Sequence, residues 1–124
     1  MIMEKITHNE FRARLKEQGM DREHSAFVCP ICSTVQSMAL LRIEGVPEDK
    51  LDTQIGFSCV GRWNDAGPAR DGKPANADKP GCNWTLGGLF RLHQLEVEHE
   101  GKSHPMFVIA SKEQAEALRA QVSA

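Results

Sequence analysis

The sequence predicts an α+β fold in which a zinc-ribbon-like β core, interrupted by a long insertion loop, lies between two helices. Three observations lead to this prediction. A helix-capping pattern stands near each end of the chain, short β-branched and aromatic segments flank four cysteines, and a Gly- and Pro-rich stretch separates the last two cysteines. Since 124 residues is the length of one ordinary domain, we expect residues 1–124 to form a single domain.

The first predicted element is an amino-terminal helix over residues 8–18. Thr7 and Glu10 have the spacing of a capping box, in which each side chain bonds the other residue's amide. Ile6 and Phe11 stand at the positions of a hydrophobic staple on either side of the cap. Gly19 follows at the position where a left-handed residue commonly ends a helix.

Residues 26–60 are predicted to form the first half of the metal core. Apolar residues surround Cys29-Pro30-Ile31-Cys32, which indicates two short strands joined by a tight turn at the cysteine pair. Residues 37–44 fit either a helix capped by Ser37 or a strand, and we favour the helix. A short turn is expected at 47–49, followed by an extended segment over 55–60.

Residues 61–81 are predicted to form the insertion loop, and residues 82–110 the second half of the core. Gly, Pro, Asn and Asp dominate the loop, so we expect a mobile segment anchored mainly at its ends. Residues 86–99 read as a long strand with a bulge at Gly87-Gly88, and 100–102 as the turn of a hairpin. Ser111 is placed to cap a carboxyl-terminal helix over 111–122.

The four cysteines predict one bound zinc ion. Cys29 and Cys32 have the spacing of a zinc knuckle, a tight turn that supplies two thiolates. Cys59 and Cys82 are separated by 22 residues, yet glycines border both, as though the loop had split a second knuckle. Two alternatives stay open: Cys59 or Cys82 is a buried thiol whose place His24 or His93 takes, or the ion is iron in a rubredoxin-like site.

A complete set of four thiolates predicts a structural ion rather than a catalytic one. Such a site leaves no coordination position for water, and the sequence contains no phosphate loop, nucleophile elbow or paired-carboxylate motif. We therefore expect that the protein is not an enzyme. Four thiolates and one divalent ion would take the formal charge from −2 to about −4 at neutral pH.

The composition excludes some classes of partner and leaves others open. A slightly negative chain has no overall positive field for nucleic acid or anionic lipid. The longest apolar runs, 38–41 and 106–110, fall far short of the roughly 20 residues that span a membrane. No secretion signal is evident at the amino terminus, so a cytoplasmic location is expected.

The loop and its borders carry a candidate partner-binding surface of cations and an aromatic ring. Its members are Arg62, Trp63, Arg70, Lys73 and Lys79. Such a surface suits a protein partner or a strand of nucleic acid. Three aspartates at 65, 71 and 78 nearly cancel its charge, which favours a solvated loop over a nucleic-acid site.

Three segments of the chain, taken together, carry a resemblance to a known group. The segments are 29–32, 56–62 and 81–90, which contain all four cysteines. They resemble a group of small, uncharacterised bacteriophage and prophage zinc-binding proteins, and the resemblance covers about residues 28–97. It implies a phage-type origin and the cytoplasm of a bacterial host, and it carries over the metal ligands but no catalytic residue. Ser33 departs from the Gly often found after such a knuckle.

From these observations we expect a small, zinc-stabilised phage-type binding protein that interacts with a host or phage protein. The alternative is a nucleic-acid-binding zinc ribbon that uses the basic and aromatic residues of the loop. The two differ in their salt dependence, because phosphate contacts make affinity fall steeply as salt rises.

Overall fold

A computed structural model of the chain describes residues 4–76, 78–86 and 95–122. Its helices and strands, in chain order, are β1 (Glu4–Thr7), α1 (His8–Glu17), β2 (Phe27–Val28), β3 (Val35–Gln36), α2 (Met38–Ile43), α3 (Leu51–Gln54), β4 (Leu95–His99), β5 (Lys102–Met106), β6 (Val108–Ile109) and α4 (Lys112–Val122). Helices thus lie near both ends, with small sheets between them. The predicted α+β fold class is confirmed.

The first sheet pairs a strand from the start of the chain with a hairpin from its last third. Its strand order is β1-β4-β5, with β1 parallel and β5 antiparallel to the central strand. Ile6 pairs with Val97, and both side chains are buried together with Leu95. The sequence analysis missed β1, because four residues whose partner strand lies some 90 positions away carry no local signal.

Helix α1 follows β1 directly and has the expected cap. The Glu10 amide donates to the Thr7 hydroxyl oxygen at 3.1 Å. The reciprocal half of the capping box differs from the expectation, since the Thr7 hydroxyl itself donates weakly to the Glu10 carboxylate at 3.4 Å. Because Thr7 is the last residue of β1, its backbone takes part in the pairing with β4. Gly19 ends the helix with φ +68°.

The second sheet, in the order β3-β2-β6, carries the first cysteine pair. Strands β2 and β3 form the predicted hairpin, and β6 adds on the other side of β2. Hydrogen bonds of the buried Gln18 side chain connect the end of α1 to this sheet. Its amide nitrogen donates to the carbonyls of Ala26 and Ala110, both at 2.9 Å, and its oxygen accepts the Ala26 amide at 2.8 Å.

Between the two cysteine pairs the chain is more helical than the sequence suggested. Helix α2 has the expected cap, since the Ser37 hydroxyl accepts the Leu40 amide. The predicted extended segment 55–60 is wrong for most of its length. Gly56, at φ +73°, turns the chain, and the amides of residues 57 and 58 both donate to the Gln54 carbonyl. Only Ser58 pairs in a strand-like manner, in a single bridge to Thr85.

The second half of the core also begins differently from the prediction. Leu86 lies in a turn, and the described part of the expected strand starts at Leu95. The expected bulge at Gly87-Gly88 and His93 lie outside the described residues. The hairpin turn at 100–102 is confirmed, with Glu100 and Gly101 both at positive φ between β4 and β5.

Helix α4 packs onto the buried cluster that contains the four cysteines. The Ser111 hydroxyl accepts the Gln114 amide at 3.1 Å, and the Gln114 side chain accepts the Ser111 amide at 2.9 Å, a complete capping box. Ala115 and Leu118 belong to the main core, which is the cluster of buried residues around the four cysteines and also contains Phe107. Among the helices described, none is long and apolar enough to cross a bilayer.

Candidate metal centre

The four cysteine sulfur atoms converge at the centre of the main core. Cys32 Sγ lies 3.7 Å from Cys59 Sγ, and Cys29 Sγ lies 3.9 Å from Cys82 Sγ. All four Sγ atoms lie within 4.8 Å of one another. A disulfide bond requires about 2.05 Å, whereas metal–sulfur bonds of about 2.3 Å in a tetrahedron place sulfur atoms about 3.8 Å apart. The spacing is that of a four-sulfur metal site.

The β2–β3 hairpin presents the first two cysteines. The Cys29 amide donates to the Thr34 carbonyl at 3.1 Å, and the Ser33 amide returns to the Cys29 carbonyl at 2.9 Å. This turn places Ser33 at φ +64°, in the left-handed region that favours glycine. The departure from glycine at this position is therefore accommodated at some cost in backbone strain, without moving either sulfur from the cluster.

Cys59 and Cys82 are brought together by pairing of the segments beside them. The Cys59 amide donates to the Trp84 carbonyl at 3.0 Å, and the Leu86 amide donates to the Phe57 carbonyl at 2.9 Å. Between these bonds, the hydroxyls of Ser58 and Thr85 lie 2.7 Å apart. Residues 57–59 and 84–86 thus form a short antiparallel pair that faces the first hairpin across the sulfur atoms.

Two glycines next to these cysteines allow the ends of the loop to meet. A Cβ on Gly61 would lie 2.4 Å from the Cys82 nitrogen, and a Cβ on Gly81 would lie 2.5 Å from the Gly61 nitrogen and 2.9 Å from Cys59 Sγ. None of these three distances is tolerable for a side chain. Gly81 also has φ +86°, which disfavours other residues. The backbones of residues 61 and 81 therefore touch, so the 22-residue separation closes at the cluster.

Hydrogen-bond donors surround the sulfur of Cys59. The Cys82 amide donates to it at 3.2 Å, and the Gln36 side-chain amide at 3.4 Å. The amide of Gly61 is a third donor. Donors directed at sulfur stabilise a thiolate and are usual around metal-bound cysteine. The environment of Cys59 is therefore that of a charged ligand, although its side chain is fully buried.

Gln36 connects the two halves of the centre and was not found from the sequence. Its nitrogen also contacts the Thr34 carbonyl, and its oxygen accepts the Val60 amide at 2.9 Å. One buried side chain thus bonds both the hairpin that holds Cys32 and the turn that follows Cys59. In the sequence Gln36 is only a polar residue in a short strand, and nothing local distinguishes it from a solvated one.

The close packing of four thiols opposes their simultaneous ionisation. Hydrogen bonds with the other thiols, Cys32 first, raise the pKa of Cys29 above its ordinary value. Hydrogen bonds with the three thiols around Cys59, Cys29 first, lower the pKa of Cys59. Like charges this close disfavour one another, so one thiolate forms at the expense of its neighbours. A cation at the centre is what would allow all four to be thiolates together.

The histidines do not replace a cysteine in the described cluster. His24 lies instead with Asp21 and Glu23, whose oxygen atoms are within 4.8 Å of a His24 nitrogen. His93 lies outside the described residues. Near the hairpin turn, the rings of His8 and His99 are in contact, with centroids 4.3 Å apart. The alternative in which His24 stands in for Cys59 or Cys82 is wrong in this geometry, because all four sulfur atoms share one cluster.

The candidate partner-binding residues differ in their exposure and in their contacts. Arg70 and Lys73 are exposed at the two ends of a tight turn, joined by reciprocal backbone bonds of 2.8 and 3.1 Å. Arg62 is exposed, but its guanidinium donates to the Asn83 carbonyl at 3.0 Å. Trp63 is half-buried against the main core, and Lys79 is half-buried as well. Of the five candidate residues, Arg70 and Lys73 are exposed and lie close together, because their backbones are hydrogen-bonded to each other.

Comparisons with known proteins identify the family. No curated protein and no solved structure matches the chain significantly. A family model does match, over residues 7–110, which is most of the chain and includes all four cysteines together with the second sheet and the loop. On this match, the chain belongs to the VVA0879-like family.

Proposed function

We propose that this protein is a small, zinc-stabilised binding protein of phage or prophage type, in which Cys29, Cys32, Cys59 and Cys82 hold one structural Zn²⁺. The observation that carries the proposal is the buried group of four sulfur atoms at tetrahedral spacing. The two facing hairpin-like pairs around it make the arrangement zinc-ribbon-like, with residues 61–81 inserted in the second pair.

The role of the ion is structural rather than catalytic. Four sulfur ligands complete a tetrahedron, so no open position remains for water or substrate. All four cysteines are at most 1% exposed, so a substrate has no path to the ion in this conformation. The ion supplies cross-linking: it joins a hairpin near residue 30 to segments near residues 59 and 82, and its binding energy contributes directly to folding.

Elemental analysis of untreated protein tests the metal site. We expect one zinc per chain by mass spectrometry of the native protein, and a cobalt-substituted form with the absorption of a tetrahedral thiolate complex. Each Cys→Ser variant should lose both signals, while Ser103→Ala, at an exposed position of β5, should keep them. One iron per chain with a visible chromophore would support a rubredoxin-like centre instead, and absence of any metal would overturn the proposal.

The binding role rests on the exposed turn of the loop. Arg70 and Lys73 project from a segment, 70–75, in which every residue is exposed. The centre fixes the base of that segment, so the turn is displayed on a rigid support, as protein-recognition loops commonly are. We propose a protein partner from the phage or its bacterial host, met in the cytoplasm of that host.

Affinity capture tests this role with matched charge variants. Protein carrying Arg70→Ala and Lys73→Ala should lose a partner that the unaltered chain retains. A control carrying Arg12→Ala and Lys16→Ala, which removes two exposed cations from α1, should retain it. Titration with single- and double-stranded nucleic acid examines the alternative, because a log-log fall of affinity with salt would indicate phosphate contacts. Equal capture by all three proteins would refute a role for the loop.

A further inference from the structure

Access to the buried sulfur atoms requires some part of their surroundings to move. The four ligands are at most 1% exposed, so neither a metal ion nor a chelator can reach them in the described conformation. Which element moves is decided by how firmly each ligand is held. The ligands differ in this respect.

Cys29 and Cys32 are held by continuous structure. They lie in the turn after β2, the central strand of its sheet, and Gln18 bonds the residue before that strand on both its amide and its carbonyl. Cys59 is held by the Trp84 carbonyl and by the Gln36 side chain. Opening on this side would break a sheet or a buried network.

Cys82 is preceded by a segment with few connections to the rest of the chain. Within the described part of 68–80, the backbone hydrogen bonds are local, between residues 70 and 73 and between 76 and 79. Ala69 packs against the main core, and among the described residues the hydrogen bond that connects this segment to the rest of the chain comes from the side chain of Asn64. Its side-chain amide donates to the Pro80 carbonyl at 3.1 Å and to a Glu44 carboxylate oxygen at 2.8 Å.

Asn64 therefore joins three elements at one point. It belongs to the first of the two segments of the loop base, defined as residues 61–67 and 80–83. Its side chain donates to the second segment at the Pro80 carbonyl, two residues before Cys82. Through Glu44 it also bonds the end of α2. Its own carbonyl oxygen is buried and has no partner among the described residues, so the side chain is oriented by its two donors.

We propose that Asn64 is a positioning residue that holds Cys82 in the sulfur cluster and sets the rate at which the bound metal is released. The inference rests on the proposed metal site. Metal leaves when the loop base separates and withdraws Cys82, while the other three sulfur atoms stay in place. Asn64 resists that separation without contacting any ligand.

The test is transfer of zinc from the loaded, full-length chain to a coloured chelator in excess. Losing two hydrogen bonds predicts release about tenfold faster for Asn64→Ala. Asn64→Asp should be faster still, because its carboxylate would face the Glu44 carboxylate and the Pro80 carbonyl. Adding Glu44→Gln to Asn64→Asp should slow zinc release again in part. Residue 44 would then donate the hydrogen bond and residue 64 would accept it.

Two controls separate this role from general destabilisation. Lys73→Ala, in the exposed turn of the same loop, should release zinc at the unaltered rate. Hydrogen exchange of the Asn83 amide, which bonds the Gly67 carbonyl across the loop base, should accelerate in the Asn64 variants. The amides of β2 should keep their protection.

The outcomes that overturn the inference are distinct from those that overturn the metal site. Unchanged release in Asn64→Ala, or acceleration matched by faster exchange throughout β2, would refute the role of Asn64 while leaving one zinc per chain. A chain that never takes up metal would refute the proposed function instead.

Discussion

The two sheets of this molecule are stabilised in different ways. Around the first sheet the described core is small: Ile6, Leu95 and Val97 are buried, with Phe11, Met106 and Ile109 packed partly against them. Around the second sheet, the described core contains sixteen buried residues, the four cysteines among them, and two buried glutamine side chains help to hold the structure together. One region is an ordinary apolar cluster, and the other is organised about polar atoms.

The difference shows what a metal at the proposed site would contribute to a short chain. Apolar burial is non-directional and tolerates small shifts. Four sulfur ligands demand fixed positions, so the glycines at 61 and 81 and the Gln36 side chain have a single acceptable arrangement around them. We therefore expect the metal-centred region to respond to chelation and to small steric changes, and the first sheet to respond mainly to loss of apolar volume.

Removal of the metal should have the largest effect. Structural zinc contributes about 10 kcal/mol or more in model peptides, which is comparable with the whole stability of a domain. Chelation, or Cys82→Ser, should abolish protection of β2 and β3 amides and shift the emission of Trp63 and Trp84 to the red. These are the two tryptophans of the chain, and Trp63 lies in the loop while Trp84 follows it. An apo chain that melts at the temperature of the loaded one would remove the proposed contrast.

Gly81→Ala should be the most harmful single methyl group. The new Cβ would lie 2.5 Å from the Gly61 nitrogen in a residue already at φ +86°, and strain plus overpacking predict a loss of about 4 kcal/mol. Gly72→Ala is the matched control, because it has φ +75° but nothing within 4 Å. Denaturant unfolding and metal content measure both. If the two variants behave alike, backbone strain and not contact at the cluster is what matters.

Ile6→Ala tests the region around the first sheet. Deleting this buried side chain should cost about 3 kcal/mol through lost burial and the cavity left behind. Metal content should stay at its original value, because Ile6 lies in the first sheet and not in the sulfur-centred core. Chemical unfolding with parallel zinc analysis provides the comparison. Loss of zinc in the folded variant would show that the two regions are not separable.

One substitution in each region should relieve the same kind of backbone strain. The two substitutions are Ser33→Gly in the metal-centred region and Glu100→Gly in the first sheet. Ser33 has φ +64° beside the cysteine turn, and Glu100 has φ +53° in the hairpin of the first sheet. Each substitution should raise the free energy of unfolding by about 1 kcal/mol, because glycine adopts this conformation without a Cβ penalty. Thermal unfolding is sufficient to measure it. Destabilisation by Ser33→Gly would mean that the serine makes a contribution beyond its backbone angle.

The smallest effect concerns acid. A hydrogen bond from Arg14 holds the pKa of the exposed Glu4 carboxyl below its ordinary value. Since the folded pKa is the lower one, this pair stabilises the protein above the unfolded pKa, and the contribution is lost as pH falls through the folded pKa. For a surface pair it should amount to less than about 1 kcal/mol. Titration of Glu4 by NMR should show an ordinary pKa in Arg14→Gln.

Acid should act on the metal-centred region by a different route. Cysteine must be deprotonated to bind metal, so falling pH releases the ion. A zinc-release curve that coincided with the titration of Glu4, and that moved in Arg14→Gln, would contradict the separation between the two regions.

Much of the local structure follows from patterns a few residues long. The caps at Thr7, Ser37 and Ser111 and the stop at Gly19 each depend on neighbours within one helical turn, and each is present. The hairpin around the first cysteine pair is similarly local. Expectations failed where distant contacts dominate, as in β1 and in the segment before Cys59. There the bonded partner is remote in sequence, or a positive-φ glycine redirects the chain.

By itself the sequence determined the fold class, the helix ends and the identity of the four cysteines, because these depend on residue type and short spacing. Only the tertiary structure decided that Cys82 returns across 22 residues to Cys59, that the backbones of residues 61 and 81 touch, and that Gln36 bonds both halves. The physical reason is that closing a long loop costs entropy that no local pattern reveals. That cost is offset by contacts that exist only once the distant segments have met.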